Sequence, residues 1–361
     1  MIEDRSFSKE WIDGLRNKEG YGKAHPEIME KMIYALYLVE KLVGNGLDFT
    51  FKGGTSLTLL FPEIKRFSID VDIVTNTEQN PLEEILTKIV KNSRFTKFEI
   101  DEKRSFVNEF PKAHYDLFFT SEYDKSEKNI LLDIVFDDDT YPETVKLLVE
   151  NNLLSMDDSK INAKMPSINS ITGDKLTAFA PNTLGIPYNI DKALQIIKQL
   201  YDIGQLFSKI DNLQIVAESF KKIADAQLNY QKKELSYDDV LQDTIDTAFL
   251  IGMQNKNKDE SKVKFDELFT GIKSFPVFLP NPKYSMYNAV EDASKAALLA
   301  AKIKASNFDT IPSIDKSDYH PKDFEIFGDN YSPVYKMIKG MPNLSVFYWH
   351  HTTKILSEIK R

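Results

Sequence analysis

Two short segments, FKGGTSL at residues 51–57 and RFSIDVDIV at residues 66–74, determine the fold predicted for this chain. In the second segment, apolar residues alternate with Asp70 and Asp72, a pattern typical of a half-buried β-strand. Residues two apart on a strand point to the same side, so both carboxylates are expected on one face. Such a pair suits a divalent cation such as Mg²⁺, which usually completes its coordination with water and substrate phosphates.

The first segment is predicted to bind the phosphates of a nucleoside triphosphate (NTP) through Gly53, Gly54, Thr55 and Ser56. Gly53 and Gly54 follow a β-like run and precede the start of a helix, which we expect Thr55 or Ser56 to cap. Glycine allows the backbone to approach a ligand closely, and N–H groups at a helix start attract phosphate oxygens. Either motif alone is more often a simple turn or a solvent-facing pair. Together, in this order, they favour a site for an NTP and its metal ion.

The combined segment resembles the signature of the polymerase-β-type nucleotidyltransferase superfamily, a glycine turn followed by a strand with Asp-x-Asp. More narrowly, KGGTSL at 52–57 with RFSIDVD at 66–72 is similar to the AbiEii/AbiGii toxin family, the nucleotidyltransferase component of bacterial toxin–antitoxin and abortive-infection systems. The resemblance implies an α+β (mixed α/β) fold, with a mixed β-sheet flanked by helices and a mostly helical C-terminal region. It also implies Mg²⁺ (or Mn²⁺) as cofactor and an NTP as substrate.

A third acid is expected from a later strand. Asp133 interrupts the apolar run ILLDIVF at 130–136, and a carboxylate among aliphatic residues is unfavourable unless something compensates it. A metal ion shared with Asp70 and Asp72 would do so, and the resemblance implies that Asp133 helps to hold a second metal ion that activates the acceptor hydroxyl. Asp116, in a less apolar strand, is the competing candidate. The structural alternative for Asp133 is an edge or surface position.

Two further segments match the family in order. ITGDKLTAF at 171–179 contains Asp-Lys-Leu-x-Ala, and KQLYDIGQLF at 198–207 contains Lys-x-x-x-Asp. The resemblance implies that Lys175 holds the triphosphate and that Asp202 lies in the same cleft. Without the resemblance, Lys175 is an ordinary exposed helix lysine. Asp202 with Lys198 is then a surface ion pair, worth roughly a few tenths of a kcal/mol.

Hydrophobic periodicity predicts the remaining elements. Residues 140–159 are predicted to be helical or mixed. Strands are predicted at residues 97–103, 113–119 and 129–136. Helices are predicted over residues 26–43, 81–92, 213–231, 237–252, 262–272, 287–304 and 345–359.

The composition sets the remaining limits. The chain has 361 residues, of which 42% are hydrophobic, enough for two domains. We predict a nucleotidyltransferase-like catalytic domain with N-terminal helices over residues 1–165 and a mainly helical domain over 166–361 that completes the cleft. The absence of cysteine excludes disulfides and thiol nucleophiles. No signal peptide or transmembrane run is present, which predicts a cytoplasmic protein without a membrane partner.

These observations predict a metal-dependent nucleotidyltransferase that transfers NMP from an NTP to an acceptor hydroxyl. The resemblance implies RNA, specifically the 3′ end of tRNA, as acceptor, and growth inhibition countered by a cognate antitoxin. The net charge of −9 argues weakly against a general nucleic-acid binder but allows a local basic groove. Two alternatives stay open. One is a kinase that uses the same site, and the other is a catalytically silent nucleotide-binding or partner-binding module.

Overall fold

The computed structural model describes residues 1–18, 21–106, 111–138, 141–256 and 258–359. The chain divides into two compact units. The first comprises Met1–Ser167 and Val277–Lys283, and the second comprises Ile168–Pro276 and Tyr284–Arg361. All strands identified in the described residues belong to the first unit, whereas the second is built from helices and loops. The α+β fold predicted from the sequence is therefore confirmed.

The first unit contains seven strands and four α-helices within its described residues. The strands are β1 (Thr50–Lys52), β2 (Val71–Thr75), β3 (Phe95–Ile100), β4 (Lys112–Thr120), β5 (Glu127–Phe136), β6 (Thr144–Leu148) and β7 (Asn162–Pro166). The helices are α1 (Lys9–Arg16), α2 (Pro26–Gly44), α3 (Gly53–Leu60) and α4 (Gln79–Lys91).

Five strands form one mixed sheet in the order β1-β2-β5-β4-β3. Strand β2 pairs in parallel with β5, and the other neighbours are antiparallel. Strands β6 and β7 form a separate antiparallel pair. Of the two alternatives predicted for residues 140–159, helical or mixed, the helical one is wrong where β6 lies, because Val145 and Leu147 pack against the core from a strand paired with β7. Residue 140 lies outside the described residues.

The large sheet has one apolar face and one polar face. Helices α2 and α4 share a single hydrophobic core with the apolar face. The alternation of side chains along each strand places the polar residues, including Asp72, His114 and Asp133, on the opposite face. Buried side chains of the apolar face come from the three central strands: Val71, Ile73, Tyr115, Leu117, Ile130, Leu132 and Ile134.

In the described residues of the second unit, the regular secondary structure is helical. Close packing fixes α5 against α7, because a Cβ on Gly173 would lie only 2.6 Å from the carbonyl oxygen of Val216. A larger residue would push the two helices apart. The helices of this unit are α5 (Ile168–Ala178), α6 (Ala193–Leu206), α7 (Leu213–Tyr230), α8 (Tyr237–Met253), α9 (Asp259–Ser274), α10 (Met286–Lys304), α11 (Pro333–Ile338) and α12 (Ser345–Ile359).

Candidate active site

Two carboxylates lie side by side on the polar face of the sheet. Asp72 of β2 and Asp133 of β5 are Cα partners in the parallel pairing of these strands. Partners in a ladder point to the same face, so their side chains are neighbours. Asp70 lies just before β2, and its charge also acts on Asp72. The strand register therefore brings together Asp72 and Asp133, which are 61 residues apart in the sequence.

The pKa values of Asp72 and Asp133 are shifted in opposite directions. Burial, reinforced by the negative charge of Asp133, raises the pKa of Asp72 to about 6, although the cations of Lys52 and Lys112 act against the rise. Burial alone would also raise the pKa of Asp133. The hydrogen bond with His114 and the positive charge of Lys112 outweigh burial there and hold the Asp133 pKa below its ordinary value.

The glycine turn lies directly against Asp72. Gly53 has a φ of +78°, and a Cβ at this position would overlap the Asp72 carboxylate, with the Asp72 Cγ only 2.6 Å away. A Cβ on Gly54 would in turn lie 2.8 Å from Ser68 Oγ and overlap the buried guanidinium of Arg66. Only glycine fits at these two positions without movement of the acid or the arginine. The turn thus separates an anionic from a cationic side chain.

The Thr55 and Ser56 hydroxyls, which follow the turn, both donate hydrogen bonds to backbone carbonyls. Helix α3 begins at Gly53, so Thr55 and Ser56 lie within its first turn, and the prediction that one of them caps the helix is wrong. The positive φ of Gly53 turns the chain from β1 into the helix earlier than expected. Thr55 Oγ1 donates a hydrogen bond to the carbonyl of Asp70, and Ser56 Oγ donates one to the carbonyl of Gly53 at 2.9 Å. Thr55 therefore fixes the backbone immediately before β2.

Two basic side chains from β4 contact Asp133. His114 Nδ1 pairs with Asp133 Oδ1, and Lys112 Nζ lies 3.4 Å from Asp133 Oδ2. Sequence reasoning did not identify either residue, since both lie on a strand whose partner register is not a local property. The competing acid Asp116 accepts a hydrogen bond from Asn129, and its Cα partner on β5 is Leu131. The register thus sets Asp133, and not Asp116, beside Asp72.

The side chains near Asp72 can be compared with the ligands that a divalent cation needs. Within the described parts of the chain, no three or more His, Cys, Asp or Glu side chains form a group arranged to hold a metal ion. Asp70, Asp72 and Asp133 nevertheless supply hard oxygen donors. Burial raises the pKa of Asp72, and a divalent cation would offset the repulsion from Asp133 that adds to this rise. The donor set therefore fits a cation such as Mg²⁺.

The second unit holds its own buried ion pair. Lys175 of α5 and Asp202 of α6 are only 4% and 2% exposed, and Lys175 Nζ lies 3.0 Å from Asp202 Oδ2. The same ammonium donates a hydrogen bond to Gln199 Oε1 at 3.0 Å. The structure brings Lys175 and Asp202 together, and the alternative of an exposed helix lysine is wrong. An ammonium has three N–H donors, of which these contacts use two.

Comparison with known proteins now gives the family. Residues 36–273 match the family model described as "Nucleotidyl transferase AbiEii toxin, Type IV TA system", which is well over half of the 361-residue chain. The chain belongs to the AbiEii family. It is accordingly a nucleotidyltransferase, and its family is one of toxins from type IV toxin–antitoxin systems. Membership implies an NTP substrate and a cognate antitoxin.

Two solved structures from Helicobacter pylori are similar to this AbiEii-family protein. One, described as a nucleotidyltransferase, has 17% sequence identity and a TM-score of 0.44, and the match covers 77% of this chain and 94% of the other. The second, JHP933, has 16% identity and a TM-score of 0.44, with 78% of this chain and 96% of the other covered. None of the curated proteins matches the chain.

The AbiEii match includes every site residue predicted from the sequence, from Gly53 to Asp202, and ends before α10. Helices α10 to α12 therefore lie outside the matched region. Across the described ranges, none of the helices combines the length and the apolar character needed to cross a membrane.

Proposed function

We propose that this AbiEii-family protein transfers NMP from an NTP to a hydroxyl group of RNA in a reaction that requires Mg²⁺ (or Mn²⁺). The observation that supports it most directly is the juxtaposition of Asp72 and Asp133 on one sheet face, with the Gly53 backbone against the Asp72 carboxylate. This arrangement combines a cation site with a turn that can approach phosphates. We infer that the protein acts in the cytoplasm, where NTPs and tRNA are abundant.

Asp70 and Asp72, with Asp133 beside them, would hold the cation. When bound, the ion would neutralise charge on the triphosphate and make its α-phosphorus more electrophilic. The N–H groups that follow Gly53 and Gly54 would bind phosphate oxygens at the start of α3. In this proposal the Thr55 and Ser56 hydroxyls act indirectly, because each already holds a backbone carbonyl that shapes the turn.

The chemical step is a displacement at phosphorus. The acceptor oxygen would form a bond to the α-phosphorus while the bond between the α-phosphorus and its bridging oxygen to the β-phosphate breaks, so that pyrophosphate leaves and the hydroxyl proton is released. Lys175 would use its remaining N–H donor to stabilise negative charge on the leaving group. Asp202 would orient the ammonium from α6, together with Gln199.

The proposal of RNA, and of the tRNA 3′ end, as acceptor is supported by the family resemblance and by the position of Lys52 and Lys112 near the acids. Cations at this position can attract a phosphate backbone even on a protein whose net charge is −9.

Labelled nucleotides test the reaction directly. The protein is incubated with Mg²⁺, total RNA and each NTP labelled at either the α- or the γ-phosphate. We expect label to enter RNA only from the α position. Asp72→Asn should reduce incorporation at least about 100-fold because the cation loses a charged ligand. Asp116→Asn is the matched control on the same sheet face and should retain activity. Incorporation from the γ position alone would instead identify a kinase.

A further inference from the structure

Both carboxylate oxygens of Asp133 have a basic partner within the sheet. His114 Nδ1 contacts Oδ1, and Lys112 Nζ lies 3.4 Å from Oδ2. The strand register fixes this arrangement, because His114 is the Cα partner of Asp133 and Lys112 lies two residues away on the same face. A cation that bound Asp133 Oδ2 would therefore compete with an ammonium that is part of the protein.

The loop before β4 holds these two residues in position. The His114 N–H donates to Ser105 Oγ at 3.0 Å, and the His114 carbonyl accepts from the Asp101 N–H at 2.8 Å. The Lys112 carbonyl accepts from the Phe106 N–H at 2.6 Å. The Lys112 side chain is 31% exposed and that of Asp133 is 15% exposed, so the ammonium retains contact with solvent. Contact with solvent lowers the cost of placing this ammonium beside the acids.

We propose that the Lys112 ammonium takes the place of a second ion at Asp133, so that the protein binds one divalent cation, at Asp70 and Asp72, and not two. The inference rests on the proposed nucleotidyl transfer and departs from the two-ion arrangement that the family resemblance implies. A lysine ammonium is a compact charge with three N–H donors, so it can stabilise negative oxygen atoms by electrostatics alone. In this assignment Asp133 and His114 are positioning residues, since they hold Lys112 at the edge of the site.

Counting bound Mn²⁺ by electron paramagnetic resonance, without nucleotide, tests the stoichiometry. We expect one tightly bound ion per wild-type chain. Lys112→Met should bind a second ion at least about tenfold more tightly than the wild type does, because the competing charge is removed. Lys112→Arg retains the charge and should bind one ion. Lys97→Met removes an exposed lysine from β3 of the same sheet and should match the wild type.

The outcomes separate this inference from the proposed function. Two tight ions on the wild type, or unchanged stoichiometry in Lys112→Met, would overturn the role of Lys112 even if NMP transfer is observed. If Asp72→Asn loses the single ion but the wild type shows no NMP transfer, the proposed reaction alone is overturned. Absence of Mn²⁺ binding to the wild type would overturn the one-ion assignment, and NMP transfer by the same protein would leave the proposed reaction standing. Lys112→Gln is measured in parallel, with circular dichroism to establish that each variant is folded.

Discussion

At Gly53, the backbone lies against the Asp72 carboxylate in a conformation that side chains rarely adopt. Gly53→Ala adds a methyl group that must displace this acid. We expect NMP transfer to fall about 100-fold, because a displacement on the order of 1 Å at a reacting centre has an effect of that size. Initial rates of α-label incorporation at saturating NTP measure the loss.

Gly46 provides a matched control for backbone strain. Its φ is +80°, close to the +78° of Gly53, but a Cβ there would meet nothing within 4 Å. Gly46→Ala should lower the free energy of unfolding by about 1–2 kcal/mol, as expected for a left-handed alanine, with little change in activity. Equal losses of activity in the two variants would show that strain, and not contact with Asp72, causes the effect.

The raised pKa of Asp72 predicts a dependence of stability on pH. Between the ordinary value of 3.8 and about 6, the folded protein retains a proton on Asp72 that the unfolded chain has released. This group therefore lowers the free energy of unfolding as the pH rises through that window. Asp72→Asn removes the contribution, which amounts to at most about 3 kcal/mol. Its stability relative to the wild type should increase from pH 4 to pH 6 in metal-free urea denaturation; a constant difference would contradict the shift.

At the level of elements, the contact between α5 and α6 depends on the buried Lys175–Asp202 pair. Lys175→Met leaves the Asp202 carboxylate buried without this partner and should cost about 3–5 kcal/mol of stability. The double variant Lys175→Met with Asp202→Asn removes both charges and should recover a large part of that loss. NMP transfer should stay low in both if Lys175 binds the triphosphate as proposed.

Thermal unfolding and steady-state kinetics on the same samples distinguish the two roles of this pair. If Lys175 has only a structural role, the double variant should recover activity together with stability. If Lys175 binds the triphosphate, the double variant should recover stability but show a raised KM for the NTP or a lowered kcat.

Elements defined by local pattern are predicted well from this sequence. The periodicity over residues 81–92 and 345–359 corresponds to α4 (Gln79–Lys91) and α12 (Ser345–Ile359). Two helical features were not predicted, and each has a physical cause. The start of α3 depends on the positive φ of Gly53, and the six-residue α11 is too short to show helical periodicity.

The candidate site also contains contacts that the sequence predicts and contacts that it does not. The acid pattern and the family resemblance predict Asp72 and Asp133 as neighbours, and the register places them so. The partners of Asp133 could not be predicted, because the positions of Lys112 and His114 depend on the antiparallel register of β4 against β5. Register between strands is set by the packing of the whole sheet and by its turns.

At the level of the whole molecule, membership of a toxin family predicts an effect on growing cells. Induced expression of the wild-type protein in a bacterial host should inhibit growth, and Asp72→Asn should abolish the inhibition at equal protein levels, because the effect requires the enzymatic reaction. Asp116→Asn should remain inhibitory. Growth curves with immunoblots of each variant provide the measurement, and α-label incorporation into RNA from the same cells connects growth to chemistry. If Asp72→Asn inhibits growth as strongly as the wild type, the protein acts on the cell by binding a partner and not by nucleotidyl transfer.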